Sequence, residues 1–473
     1  MSNSKPLELH PDRYFSAIPE ERKLARHLYH LVKELPLVCP HGHVDPKLFA
    51  SNAPFPDPAE LLVIPDHYLF RMLYSRGIPL ESLGVPRVDG GETEQDHRKI
   101  WQIVGENFYL FRGTPTGAWL KQEMVDVLGV QKQLNGDTAM DIYDEIMETL
   151  AKPENLPRAM FERFNIEVLS TTDSPTDTLE HHQQIRASGW NGRVIPAFRP
   201  DNVTDFMYRG WQQNIEKLAQ VSRVDTSSYK GYIQALEARR AFFKDMGATS
   251  TDQGVTTPFT TDLSQEQASV LYDKALLGQA TEYDARLFTA HMIMEMARMS
   301  VEDGMTMQIH AGVIRNHNSV IFEKFGLDKG CDIPSATDYV NNLKPLLNKY
   351  GNDARLNLIV FTIDETTYSR ELAPLAGHYP AMKVGPAWWF HDSREGMLRY
   401  RRMMTETAGF YNGVGFIDDT RAFPSIPARH DVARRIDARY LAELVAEHVL
   451  EMDEAEEVIV DLAYNLAKQN YKL

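Results

Sequence analysis

Leu37-Val38-Cys39-Pro40-His41-Gly42-His43-Val44-Asp45-Pro46 is the stretch on which the reading of this chain turns. A short apolar run, entered from Pro36, ends in two histidines spaced two apart. Residues i and i+2 of an extended chain point to the same side, so both imidazoles share a face, as metal ligation requires. The spacing alone is weak, since 16 histidines in 473 residues supply about half of one such pair by chance. Its position says more: two imidazoles at the exit of a buried strand are costly unless they find partners. Cys39, inside the run, reads as packing.

Outward from this run the chain changes character twice. Upstream, residues 20–35 are helical in pattern. Downstream, Pro, Asp and Asn break residues 46–160 into amphipathic pieces such as 95–111 and 119–128, which predicts a mostly helical insertion after the first strand. Beyond it, short apolar runs at 166–169, 194–198, 305–309, 358–361, 381–384 and 414–417, with a faint one at 247–250, alternate with helical stretches such as 281–300 and 432–448. With the first run these make eight strands, and the alternation predicts an α/β fold: a (β/α)8 TIM-type barrel formed by one domain over 1–473, with the insertion at its mouth. An open doubly wound sheet would leave nearly the same pattern, but polar residues follow almost every run: His41 and His43, Thr171-Thr172-Asp173, Arg199, Asp252, His310, Asp364-Glu365 and Asp418-Asp419. In a barrel these converge on one face.

Composition sets the outer bounds. With 43% hydrophobic and 25% charged residues the chain has the make-up of a globular protein. Its net charge of −16 gives no reason to expect nucleic acid or an anionic membrane as partner. No apolar stretch approaches the roughly 18 residues of a membrane span. Two cysteines cannot build a disulfide scaffold, and the start MSNSKPLELHPDRYF has no apolar signal core, so a cytoplasmic location is expected. A homo-oligomer is compatible with so acidic a chain.

A closed barrel sets its last strand beside its first, so an acid in Asp418-Asp419-Thr420-Arg421 can complete a site with His41 and His43, against the plainer role of capping the next helix. His310 is either a ligand or a hydrogen-bonding residue. Arg199, Arg315 and Arg421 all follow strands, and guanidinium forks near a metal imply an acidic substrate rich in oxygen. Trp388-Trp389-Phe390 has the make-up of a pocket wall or of core.

These residues resemble a known family. The Cys39–Pro46 motif, Asp66-His67-Tyr68 with Arg71, Thr171–Pro175, Pro196–Asp201, Gln308–Gly312 with Arg315-Asn316, Ala387–Phe390 and Asp419–Phe423 are similar, in the same order, to the motifs of the uronate (glucuronate) isomerase family of the amidohydrolase superfamily. The resemblance implies interconversion of a hexuronate aldose and ketose, D-glucuronate with D-fructuronate or D-galacturonate with D-tagaturonate, by metal-assisted proton transfer through an enediol. It implies one divalent metal ion, commonly zinc, held by His41, His43 and Asp419, the acid two before Arg421. His67 and Tyr68 are expected over the mouth, Asp419 and Tyr68 as the proton shuttle, and Arg199, Arg421, Arg315 and Trp389 on the substrate. Three departures stand out: Asp418 adds a negative charge expected beside the metal, Gln253 follows Asp252 where the family often has histidine, and Gly42 replaces a larger residue. The competing readings are a hydrolase or deaminase of the same superfamily, disfavoured because 247–254 has no lysine to bridge two metals, and a binding barrel without catalysis.

Overall fold

The computed structural model describes residues 6–473. The barrel is built from parallel strands in two ladders. β1 (Leu37–Cys39), β2 (Ile166–Ser170) and β3 (Val194–Ile195) form one; β4 (Ser250–Gly254), β5 (Thr306–Ala311), β8 (Leu358–Thr362) and β9 (Met382–Val384) form the other. β6 (Val313–Ile314) and β7 (Ile333–Pro334) make a two-residue antiparallel pair outside the barrel, on the excursion that follows β5.

Phe198 joins the ladders, pairing with Asp173 on one side and Thr251 on the other, so the third strand effectively continues to the end expected for it. At the other edge Val384 pairs with Gly413, and the Thr420 carbonyl accepts a hydrogen bond of 2.8 Å from the His43 amide, which brings the chain end back to the first strand. The molecule is a (β/α)8 barrel.

Two expectations need correction. Residues 414–417 are buried but make no regular ladder, because the last barrel position is an irregular extended segment that turns through a left-handed Gly415 (φ +79°). The faint fourth strand runs over Ser250–Gly254 instead of 247–250, so Asp252 lies within the strand and not after it. Ser-Thr-Asp-Gln-Gly carries no apolar run; the ladder to β5 holds it extended, from Ser250 opposite Thr306 to Gly254 opposite His310.

Some of the buried strands are close to continuous apolar runs, as a parallel sheet covered on both faces favours: Leu358-Ile359-Val360-Phe361-Thr362 has every residue buried. Helices are delimited by their own chemistry. Glu282–Asp303 starts at a reciprocal capping box between Thr281 and Asp284 and stops at Gly304 in the left-handed region. Between β1 and β2 all the elements are helical, among them Pro58–Leu62, His67–Tyr74, His97–Asn107, Pro115–Gln122 and Ala139–Leu150. Their apolar faces form a second core with Leu37, Cys39, Leu169 and Val194. A third cluster packs Pro19–Val32 on Ile426–Ala446. Among the described residues no helix is long and apolar enough to cross a membrane.

Candidate metal centre and substrate cleft

At the carboxyl ends of the strands lies a cleft of about 450 Å³, part of it open to solvent. Pro40 ends β1 and the chain turns at Gly42, where an added Cβ would come within 3.3 Å of the Thr420 carbonyl oxygen; the close approach of the last segment uses that space. His41 and His43 then meet Asp419: their Nε2 atoms stand 3.5 and 3.3 Å from Asp419 Oδ1. Tetrahedral ligation with bonds of 2.0–2.1 Å separates N and O donors by about 3.3 Å, so the three atoms are spaced for one ion. Asp419 Oδ1 is buried without a hydrogen-bond partner, an arrangement expensive for a carboxylate unless a cation takes the lone pair.

Asp419 is held from several sides. Its φ of +43° is in the left-handed region, costly for a residue with a Cβ. Its Oδ2 accepts a 2.6 Å hydrogen bond from Trp388 Nε1. Burial works to raise its pKa, but the neighbouring imidazoles of His43, His41 and His310 hold the carboxyl well below the usual range. His43 is pushed down to about 4, by burial first and then by Arg421, and so stays a neutral imidazole with a lone pair free to ligate at pH 7.

His310 stacks on His41 with centroids 4.7 Å apart and groups with His41 and Asp252, whereas His43 and Asp419 group with His41 on its other side. Its Nδ1 is 2.6 Å from Asp252 Oδ1, and its buried Nε2 has no partner. Burial lowers its pKa against the pull of Asp252. A neutral ring with Nδ1–H on the carboxylate leaves Nε2 as a lone-pair acceptor. Arg199 anchors the other side of Asp252 at 3.2 Å and donates from Nε to Asp201 at 2.8 Å.

Every residue singled out for the site lines this cleft: His41, His43, His67, Tyr68, Arg199, His310, Arg315, Trp389, Asp419 and Arg421. Asp66 caps the helix His67–Tyr74, fixing the turn that delivers His67 and Tyr68. The His67 ring stacks on Trp389 at 4.5 Å and Tyr68 meets Trp389 edge-on at 4.2 Å. Burial raises the Tyr68 phenol, against the nearby Arg429, so it stays protonated. Other strand-end residues do not reach the cleft. Asp173, Asp364 and Glu365 lie outside it; Asp364 caps the short turn Glu365–Thr367.

Asp418 corrects the expectation of an extra charge beside the metal. It faces away from the cleft, buried, with Oδ1 3.4 Å from His430 Nε2. Neither Asp418 nor Asp419 caps the next helix. Cys39 is likewise more than packing, with its Sγ 3.6 Å from His430 Nε2.

Asp252, Trp388, Asp328 and Asp332 complete the lining. Asp328 lies 3.1 Å from Arg421; Asp332 takes Arg315 at 3.3 Å and the Trp389 indole at 3.4 Å. Both acids sit on the excursion between β5 and the helix Tyr339–Tyr350, whose sequence has neither periodicity nor a strand end to mark it. Trp388 was visible only as part of an aromatic run. Three guanidiniums face four carboxylates, leaving the lining at about −1; a divalent ion turns this to about +1, complementary to a monoanion. No lysine lines the cleft.

A family model described as glucuronate isomerase matches residues 17–471. The chain belongs to the glucuronate isomerase family. It is 56% identical to a uronate isomerase of Phenylobacterium zucineum over 470 residues, 99% of this chain and 98% of that one. Its structure is similar to the crystal structure of glucuronate isomerase from Caulobacter crescentus, at 54% identity and a TM-score of 0.97 over 99% of this chain and 98% of that one. It is also similar to a uronate isomerase from Thermotoga maritima, at 26% identity and a TM-score of 0.91 over 98% and 99%. This member of the glucuronate isomerase family has a cleft of mixed charge around a His, His, Asp cluster.

Proposed function

We propose that this chain is a uronate isomerase, interconverting D-glucuronate with D-fructuronate or D-galacturonate with D-tagaturonate, in the cytoplasm, where its two free cysteines remain reduced. The observation that carries the reading is the convergence of the two β1 imidazoles and the Asp419 carboxylate beneath three arginines. Residues 46–160 act as a cap that contributes His67 and Tyr68 to the mouth of a single barrel domain. A homo-oligomer is part of the proposal.

His41, His43 and Asp419 would hold one divalent ion, zinc by the preference of imidazole and carboxylate donors. When bound, the ion supplies Lewis acidity toward the oxygens on C1 and C2. Arg421 takes the substrate carboxylate, exchanging its partner Asp328 for it, with Arg315 beside it; Arg199, already engaged by Asp201 and Asp252, offers its remaining N–H groups to hydroxyls. Trp389 walls the sugar.

Isomerisation of the open-chain aldose moves one hydrogen from C2 to C1 and one from O2 to O1. The ionised Asp419 is the base that takes the C2 proton. The C2–H electron pair becomes the C1–C2 double bond of an enediolate, and the proton returns to C1 as the O2 hydrogen is passed to O1. Tyr68, a phenol kept protonated by burial, hydrogen-bonds the developing oxyanion and relays the oxygen-bound proton, with His67 beside it. His310, aimed by Asp252, accepts a substrate hydroxyl at Nε2. The test is ketose formation by the zinc-loaded protein supplied with each uronate in turn. Turnover of one or both is expected; a loaded, folded protein that turns over neither overturns the reading.

A further inference from the structure

Behind the cleft, on the far side of the last barrel segment, Cys39, Asp418 and His430 form a second cluster of metal-ligating types, all three buried. They come from three places in the chain: the end of β1, the segment before Asp419, and the helix Ile426–Ala446. Cys39 Sγ and His430 Nε2 are 3.6 Å apart; His430 Nε2 and Asp418 Oδ1 are 3.4 Å apart. With bonds of 2.3 Å to sulfur and 2.0–2.1 Å to nitrogen or oxygen, tetrahedral zinc spaces S and N donors by about 3.5 Å and N and O donors by about 3.3 Å. Both separations match, and the third, Cys39 to Asp418, is within 4.8 Å.

A thiol hydrogen bond accounts for the Cys39–His430 contact as well, but hydrogen bonding accounts less well for the His430–Asp418 one. Imidazole–carboxylate pairs that are hydrogen-bonded in this molecule are shorter: 2.6 Å for His310 with Asp252, 2.5 Å for His97 with Asp57 and 2.7 Å for His27 with Glu456. The His430–Asp418 separation of 3.4 Å instead falls between those from Asp419 to His41 and His43. Asp418 Oδ1 is also buried with no hydrogen-bond partner, although it points at the imidazole and the thiol. The nearest arginine side chains do not supply the missing partner: Arg434 donates to the carbonyls of Lys33, Leu35 and Pro36, and Arg429 reaches the Asp418 main-chain oxygen at 3.2 Å.

We propose that Cys39, Asp418 and His430 form a second, structural divalent-metal site, distinct from the cleft, that takes a zinc-like ion. A thiolate, a carboxylate and a neutral imidazole around a 2+ ion sum to zero charge, which is what a buried site tolerates best. The sulfur and nitrogen donors select zinc over magnesium or calcium. The fourth position falls to Asp418 Oδ2 or a water. The benefit to the fold is local: among the described residues one backbone hydrogen bond, His43 N to Thr420 O, joins the first and last barrel segments, and a metal here staples both to the helix that follows.

The experiment uses the full-length protein, stripped of metal and reconstituted with cobalt(II) without oxygen. The cleft offers no sulfur ligand, so a near-ultraviolet thiolate-to-cobalt charge-transfer band reports this cluster alone. The expected result is that band in the wild type, with two metal equivalents per chain, unchanged in Cys331→Ser and absent in Cys39→Ser with loss of one equivalent. A cobalt-loaded wild type without the band, or a band that disappears in Cys331→Ser, overturns the proposal. Both of those outcomes are read without the Cys39 variant, so a folding defect in it does not remove the test.

Discussion

Trp388→Phe isolates one hydrogen bond at the centre of the site. The indole Nε1–H donates to Asp419 Oδ2 at 2.6 Å, while the ring packs edge-on to His310 at 4.7 Å and lies under the Arg315 guanidinium at 5.7 Å. Phenylalanine keeps an aromatic ring in place and removes the donor, together with part of the indole's volume. A hydrogen bond to a charged acceptor is worth about 1.5–3 kcal/mol. Its loss leaves Oδ2 without that partner on a residue already strained at φ +43°, so the carboxylate is free to swing toward chelating the ion with both oxygens or away from it. At about 1.4 kcal/mol per decade the range corresponds to roughly 10- to 100-fold weaker metal binding, the scale typical of lost partners behind a metal ligand. Zinc affinity measured by chelator competition should fall by that factor, and activity should recover substantially in excess zinc, which a folding defect would not allow. Weaker visible d–d bands in the cobalt protein would report the higher coordination number. Zinc affinity within twofold of wild type in a folded protein would refute the clamp.

Asp419→Asn should leave the fold and its melting temperature near wild type but cut isomerase turnover by orders of magnitude, because it removes a ligand and the proposed base together; near-normal kcat would sink that role. The arginines should separate. Arg421→Met, losing only Asp328 as partner, should raise KM about 10- to 100-fold with little change in melting temperature. Arg199→Met leaves the buried Asp252 with His310 alone and the half-buried Asp201 with the Gly254 amide alone and should cost up to about 3–5 kcal/mol of stability; calorimetry and kinetics of the pair distinguish the two cases. Glu123, whose buried Oε2 has no partner, is pushed from 4.5 up to about 8, by burial first and then by Asp66. Between those values the folded chain keeps a proton that the unfolded chain has released, so this group's contribution to stability declines as pH rises from 4.5 to 8. Glu123→Gln does not titrate; its melting temperature relative to wild type should climb between pH 5 and pH 8, and a pH-independent difference would contradict the assignment.

Much of the architecture was readable in one dimension because parallel strands buried on both faces are written as apolar runs, and Leu37-Val38-Cys39, Ile166–Ser170 and Leu358–Thr362 are such runs. The two histidines after β1 were readable as a pair at a strand exit, although it is the turn at Gly42 and the contact with Thr420, not strand geometry, that aims them. The fourth strand was misplaced because Ser-Thr-Asp-Gln-Gly has no apolar content, and its extended form comes from β5 alongside it. The eighth was mistaken for a regular strand because Val414, Phe416 and Ile417 are apolar, although their burial comes from an irregular passage.

What the sequence determined by itself was therefore periodicity and residue type: a barrel, a helical insertion, imidazoles at the exit of the first strand and an acid near the end of the last. The family resemblance picks Asp419 by its place two before Arg421, but only the tertiary structure gives the physical reason that it, and not Asp418, faces the cleft. The left-handed turn at Asp419 sends its carboxylate toward His41 and His43 and leaves that of Asp418 with His430 and Cys39. No local rule orders Asp418 and Asp419, because the choice depends on groups dozens to hundreds of residues away along the chain, Trp388 on one side and Cys39 on the other, and such contacts exist only once the barrel has closed.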